Sequence, residues 1–264
     1  MPRFDADGVR EEWDYAADAY AKGQADGRDY YRLEFFGPFQ IAMMGDVGGK
    51  DLLDVGCGSG YFSRAMHERG ARVTGIDISP RMIQHAQETG PAAIKYDVLD
   101  AANIDRRFPA ASFDLATACL SLQDCPEPAR VLKAVAKVLK PGGRFVSSIE
   151  HPFSSMPFRQ WHRADDKKTK KWLCVDKYFE RGAMPYTWKR WSYEFTTRAL
   201  HVTLEQWVDW TIEAGFTIRA MREPKPTEAA LRSQPDLEDA TRVPYFLIFD
   251  LTADLTSPKA GSAR

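Results

Sequence analysis

Between residues 51 and about 150 the chain alternates short apolar runs with amphipathic stretches. That alternation restricts it to few folds, because strands joined through helices lie parallel in one sheet, with the helices on its faces. The strands read as Asp51 to Val55, Arg72 to Ile76, Ala93 to Tyr96, Phe113 to Ala118 and Arg144 to Ile149. Ser79 before Pro80 is an N-cap followed by a first helical position, opening a helix to about Glu88 that Gly90 stops. Val131, Leu132, Val135, Val138 and Leu139 recur at helical spacing between Pro128 and Lys140, and Pro141-Gly142-Gly143 ends that helix.

The flanking segments differ. Residues 1–47, with DYAADAYAKG and DYYRLEFFGPF, read as helices covering the 48–150 core. From 151 to 203 the alternation gives way to a long irregular insertion holding 11 aromatic residues. Thr203, with Gln206 three residues on, forms a capping box for a helix running to Gly215. Phe216 to Met221 and Val243 to Leu251, separated by a Pro-rich loop from Glu223 to Asp239, then read as a hairpin on the sheet edge. Residues 204–254 thus return to the core, and 255–264 read as a frayed tail. The expectation is an α/β fold: a Rossmann-like, seven-stranded, mostly parallel sheet with an antiparallel terminal hairpin and an aromatic lid after the fifth strand.

Composition removes several functions. With 264 residues and 44% hydrophobic content, the chain suits one large domain or a domain with an insertion, not a mainly disordered state. No apolar run approaches the roughly 18 residues of a bilayer span, and MPRFDADGVREEW lacks a signal-type apolar region, so a cytoplasmic location is expected. Lys plus Arg number 36 against 37 Asp plus Glu, without the basic footprint of phosphate-backbone binding. A small-molecule partner is expected, rather than nucleic acid or membrane. Cys57, Cys119, Cys125 and Cys174 form no CxxC pair and have no His at ligand spacing, so reduced thiols and no metal site are expected.

The sharpest local signal is Asp51-Leu52-Leu53-Asp54-Val55-Gly56-Cys57-Gly58-Ser59-Gly60, a buried strand entering a glycine turn and then a helix. Glycines at i, i+2 and i+4 let the backbone pass close to a ligand. The dinucleotide fingerprint places its third glycine one residue later, and Asp54, two before the first, would repel a pyrophosphate and favour a cationic ligand. A second acid, Asp77, closes the next strand about twenty residues on, where a carboxylate accepts ribose hydroxyls.

These residues resemble a class I S-adenosylmethionine-dependent methyltransferase of small-molecule type, over about residues 48 to 150. DVGCGSG is similar to that family's first motif, GIDIS to its second, KYDVLD to its adenine-side loop, FDLATACLSLQD to its fourth and LKPGGRFV to the element after it, all in order. The resemblance implies S-adenosylmethionine as cofactor. It implies that Gly56, Cys57, Gly58 and Gly60 line its methionyl and ribose portions, and that Asp54 helps hold its amino end through the turn. Asp77, with Ile78 beside it, would take the ribose hydroxyls, Asp97 and Val98 would face the adenine, and Cys119 would offer its backbone near the methionine end. Asp97 can equally cap the following turn. Cys57 and Cys119 read as small fillers, since nothing basic adjoins them in sequence. Tyr20 either covers the cofactor's carboxylate, as in many relatives, or packs its own helix.

Methyl transfer from a sulfonium needs alignment and water exclusion, and a base only where the acceptor has a proton to lose. Ala118-Cys119-Leu120-Ser121 stands where amine methyltransferases of nucleic acid or glutamine carry an Asn/Asp-Pro-Pro-Tyr element, and Asp124-Cys125-Pro126 reverses the Pro-Cys order of cytosine C5 chemistry. An O, N or C atom of a small aromatic or anionic molecule is therefore expected as acceptor. RNA or protein methylation and nicotinamide-dependent oxidoreduction stand as alternatives. His151, leaving the fifth strand, is the first candidate base or polarising donor, and His201 the second; either could instead be tied to backbone. Trp188, Trp191, Tyr193 and Phe195 read as acceptor walls or as the insertion's own core. Arg159, Arg163, Lys167, Lys168, Lys170 and Lys171 read as a solvated loop or as a lid attracting an anion.

Overall fold

The computed structural model describes residues 3–155, 157–166, 169–189 and 194–254. The chain opens with α1 (Ala6–Ala25), capped by Asp5 accepting from the Gly8 N–H, then a π-helical turn (Tyr31–Phe35) and α2 (Phe36–Met44). The alternating region follows as β1 (Asp51–Val55), α3 (Tyr61–His67), β2 (Arg72–Asp77), α4 (Pro80–Thr89), β3 (Lys95–Val98), α5 (Ile104–Arg107), β4 (Phe113–Cys119), α6 (Pro128–Val138) and β5 (Leu139–Glu150). Beyond it come β6 (Phe158–Arg163), β7 (Lys170–Asp176), β8 (Gly182–Trp188), β9 (Phe195–His201), α7 (Leu204–Glu213), β10 (Phe216–Arg222), α8 (Glu228–Ser233) and β11 (Phe246–Ala253).

One seven-stranded sheet runs β10-β11-β5-β4-β1-β2-β3. Strands β1 to β5 pair in parallel, while β11 runs antiparallel to both β5 and β10. The edge hairpin expected from the sequence is thus present. Successive side chains of β1 divide two cores. Leu53 and Val55 pack with Val131, Leu132 and Val135 of α6 and Trp207 of α7, whereas Leu52 packs with Phe35, Phe36 and Met44 of the N-terminal cover and Phe62 of α3. The strand order reverses between β1 and β4, and the carboxyl ends of the strands there are where such sheets bind ligands.

Several boundaries differ from the sequence expectation. The segment 151–203 is not irregular: β6 with β7 and β8 with β9 form two antiparallel ribbons. Their strands hide in the sequence because both faces of a two-stranded ribbon accept charged and polar residues, so no clean apolar alternation develops. The Pro-rich loop holds α8, capped by Thr227, whose Oγ1 accepts from the Ala230 N–H at 3.1 Å, and a 3-10 turn at Pro235–Thr241. Strand β3 begins two residues late, at Lys95, and β11 begins at Phe246 rather than Val243, because Pro244 has no N–H for a ladder. The helix expected through Lys140 stops at Val138, and β5 starts immediately. Trp191, Tyr193, Lys167, Lys168 and the tail 255–264 lie outside the described residues. Among the described residues no helix is long and apolar enough to cross a membrane.

Candidate functional site

The glycine turn after β1 shapes the floor of a cavity of about 750 Å³ at the carboxyl end of the sheet. Its three glycines answer three different demands. A Cβ on Gly56 would lie 2.4 Å from Ser121 Cβ, so this glycine lets the loop after β4 close over β1. A Cβ on Gly60 would lie 2.6 Å from Tyr96 Oη, where α3 meets β3. Gly58 (φ +53°) faces the cavity: a Cβ there would enter it, with Tyr20 Cε1, 3.9 Å away, the nearest atom.

Asp77 stands in the cavity wall. Its Oδ2 accepts from the Gly58 N–H and its Oδ1 from the Ser79 N–H, both at 2.9 Å. Burial, opposed by these donors, pushes the carboxyl up to about 6. Asp54 lies beneath the turn, fully buried and outside the cavity lining. Its Oδ2 accepts from Ser63 Oγ at 2.6 Å, its Oδ1 has no hydrogen-bond partner among the described residues, and burial pushes it also to about 6. Holding the turn from below is therefore its place, not direct contact with a ligand.

Of the residues singled out from sequence, Tyr20, Gly56, Cys57, Gly58, Asp77, Ile78 and Cys119 line this cavity; Asp54, Gly60, Asp97 and Val98 do not. Asp97 is bound to Arg107 at 2.7 Å, and Val98 is 51% exposed. Because β3 runs later than expected, Leu99, Asp100 and Ala101 occupy the wall intended for that pair. Burial holds the Cys57 thiol well above its usual range and Cys119 at about 11, so both are neutral fillers.

Sequence reasoning missed Arg32, Gln24 and Asp124. Arg32 donates to Tyr20 Oη at 2.7 Å and to Asp29 Oδ2 at 3.0 Å, which fixes a cation at the cavity's N-terminal side. Gln24 Oε1 accepts from Ser59 Oγ at 2.6 Å and ties α1 to the glycine turn. Asp124 faces the cavity from the loop after β4, where burial and the neighbouring Glu150 and Asp77 charges hold its carboxyl well above the ordinary carboxylate range. Its place in a loop at a strand's carboxyl end was the available signal.

A second cavity, of about 1050 Å³, adjoins the first and shares Arg32 and Leu120 with it. Trp161, Tyr186 and Trp188 from the two ribbons form its walls, with Glu150 at the end of β5. Trp188 also meets Tyr20 edge to face at 5.8 Å, so the β8–β9 ribbon packs onto the N-terminal cover where the cavities meet. Phe195 is buried behind it, stacked on Trp188 at 5.6 Å.

Neither candidate histidine lines either of these two cavities. His151 is 6% exposed, with Nδ1 accepting from the Phe153 N–H at 3.1 Å and Nε2 3.1 Å from Glu223 Oε1. Burial lowers its pKa. The turn at residues 151–153 thus sets the ring against Glu223. His201, the last residue of β9, is 1% exposed, and its Nε2 sits 2.9 Å from the Tyr178 carbonyl. His151 lines a separate surface cavity with Phe153 and Tyr178, and His201 one that shares Glu150, Arg159 and Tyr186 with the second cavity.

The first cavity's shape and charge suit a cationic nucleoside. It has an open cradle at Gly58, an acid at Asp77 with acceptor capacity to spare, two more carboxyls in Asp100 and Asp124, and one cation at the far side, Arg32. A pyrophosphate would face an ionised Asp77 unfavourably.

Comparison with known proteins agrees. Residues 53–147 match the family described as a methyltransferase domain. The ubiquinone biosynthesis O-methyltransferase of Idiomarina loihiensis is 43% identical over 112 residues, 40% of this chain and 45% of that protein. That of Leptothrix cholodnii is 37% identical over 111 residues, 40% of this chain and 47% of its own length. The chain thus spans about half the length of these curated relatives. A crystal structure of an S-adenosylmethionine-dependent methyltransferase from Mesorhizobium loti is 32% identical and superposes with a TM-score of 0.73, covering 82% of this chain and 97% of that one.

Proposed function

We propose, for a chain that belongs to the S-adenosylmethionine-dependent methyltransferases, that it methylates a hydroxyl oxygen of a small aromatic acceptor. The observation that carries this is the second, aromatic-walled cavity opening beside the first. Its aromatic walls, with a few polar groups among them, suit a small-molecule acceptor. The O-methyltransferase names of the curated relatives support oxygen as the acceptor atom. Balanced charge supports a partner other than nucleic acid.

In this reading Asp77 accepts the ribose hydroxyls, Gly58 lets the main chain approach, and Leu99, Asp100 and Ala101 border the adenine. Tyr20 and Arg32 meet the carboxylate of the amino-acid end. When bound, the cofactor supplies an electrophilic methyl group on a sulfonium centre. The chain's own residues do the rest. Trp188 and Tyr20 close the junction of the cavities against water, and the ring walls fix the acceptor's plane. Asp124, the carboxyl that faces the cavity from the loop after β4, receives the acceptor's hydroxyl proton at its carboxylate oxygen.

The test is incubation with methyl-labelled cofactor and a panel of phenols, amines and carbon acids. Label on phenolic oxygen is expected, and Asp124→Asn should lower kcat by about 10²- to 10⁴-fold while cofactor affinity changes much less. Label confined to nitrogen or carbon, or a fully active variant, would refute it.

A further inference from the structure

A third cavity, of about 900 Å³, adjoins the second at Glu150, Arg159 and Tyr186, which line both. Arg159, Arg163 and Lys170, which read from sequence as part of a solvated loop or a lid, are wall residues of the second cavity. Side chains alternate across a strand, so Arg159 and Trp161 project from one face of β6, with Trp161 opposite Leu173 of β7. Of the other charges in the second cavity, Arg32 is matched by Asp29 and Lys170 by Asp239.

Glu150 ends β5, and among the described residues its carboxyl has no hydrogen-bond donor. Burial pushes it toward the neutral form, and the charge of Arg159 opposes that push. Arg159 donates to the Ser154 carbonyl and has no carboxylate within ion-pair distance among the described residues. An acid and a base thus face each other where the two cavities meet, without forming an ion pair. Two more acceptors belong to side chains of the third cavity. Gln123 donates through Nε2 to the Leu120 carbonyl at 2.9 Å, and its Oε1 is buried with no partner among the described residues. The Tyr178 carbonyl beside His201 Nε2 can only accept, so in the neutral ring Nε2 carries the hydrogen and Nδ1 keeps its lone pair, also buried and without a described partner.

Glu150, Gln123 Oε1 and His201 Nδ1 match the donors of a cation, and the planar Arg159 guanidinium matches a carboxylate. A ligand group with a single charge leaves one side of this pair unmatched in a partly buried site, whereas a zwitterion satisfies both. Trp161 offers a flat apolar surface next to Arg159. We propose that the acceptor is a hydroxylated aromatic α-amino acid, its ring against Trp161, its ammonium held by Glu150 and its carboxylate by Arg159. This inference rests on the reading of the second cavity as the acceptor site.

The test is isothermal titration of the protein saturated with S-adenosylhomocysteine. The ligands are L-tyrosine, its deaminated analogue 3-(4-hydroxyphenyl)propionate and its decarboxylated analogue tyramine. L-Tyrosine should bind at least about tenfold more tightly than either analogue, the effect of one charge-assisted pair. Glu150→Gln should bring L-tyrosine and the propionate to within about twofold while keeping the preference over tyramine, and Arg159→Gln should do the reverse. Unchanged S-adenosylhomocysteine affinity in each variant is the check on folding. Equal binding of all these ligands by the unaltered protein, binding of none, or preferences that survive both substitutions would overturn the amino-acid site, even where simple phenols are methylated. Selective binding of L-tyrosine with no methyl transfer to any hydroxylated aromatic amino acid would keep that site and overturn the acceptor reading instead.

Discussion

Replacing Asp77 by Asn tests the cofactor cradle at its most specific point. The carboxylate has about four acceptor positions, and the Gly58 and Ser79 N–H groups occupy two of them at 2.9 Å. The remaining positions face the cavity and are assigned to the ribose. Asparagine removes the charge and sets its NH₂ against one of those backbone donors. A hydrogen bond to a charged group contributes roughly 1.5 to 3 kcal/mol against about 1 for a neutral pair. The variant should therefore lose about 1 to 3 kcal/mol of cofactor binding, or roughly five- to 150-fold in Kd. The sign with pH follows from the raised carboxyl, near 6 before ligand binds. Ribose donors favour the ionised form, so binding strengthens as pH rises through about 6 and then levels. At pH 5 roughly one molecule in ten is ionised, which weakens wild-type binding about tenfold relative to pH 7, with proton release on binding. Asp54, also near 6, adds a smaller step, so Asp77→Asn keeps part of the slope and Asp54→Asn/Asp77→Asn loses it. Isothermal titration at pH 5, 6 and 7.5 reads all three quantities. An unchanged Kd in a natively folded Asp77→Asn protein, or equal wild-type affinity at pH 5 and 7.5, would refute the assignment.

Other outcomes follow from the same structure. Burial pushes the Asp54 carboxyl up to about 6, above the ordinary carboxylate range, so its contribution to ligand-free stability falls as pH rises from about 4 to 6, by up to about 3 kcal/mol; the melting temperature of Asp54→Asn should gain on wild type across that window, and parallel curves would contradict the burial argument. Gly58→Val combines φ of +53° with a side chain placed in the cavity, so calorimetry should detect no cofactor binding while circular dichroism stays native. His151→Gln should lower the melting temperature by about 2 to 4 °C, for loss of roughly 1 kcal/mol, and leave kcat within about twofold; a large drop in kcat with intact stability would return His151 to the chemistry.

The sequence alone determined the part of this protein built from local signals. Strand and helix periods, the Ser79 and Thr203 caps and the glycine turn are each written within a few residues. Periodicity and capping act over that range, so the parallel sheet, its edge hairpin and the glycine turn that brings Gly58 and Asp77 to one cavity are legible in it. Tertiary structure decided what depends on which distant segments meet. A two-residue shift of β3 moved Asp97 and Val98 out of the cavity and brought Leu99 to Ala101 in. A turn after β5 swung His151 to Glu223 and away from the site. Pairing of β6 with β7 gave one face to Arg159, Trp161 and Arg163, and packing of the N-terminal cover delivered Arg32 to Tyr20. Such contacts join residues far apart in the chain, and their geometry is fixed by packing and register, which no window of sequence encodes.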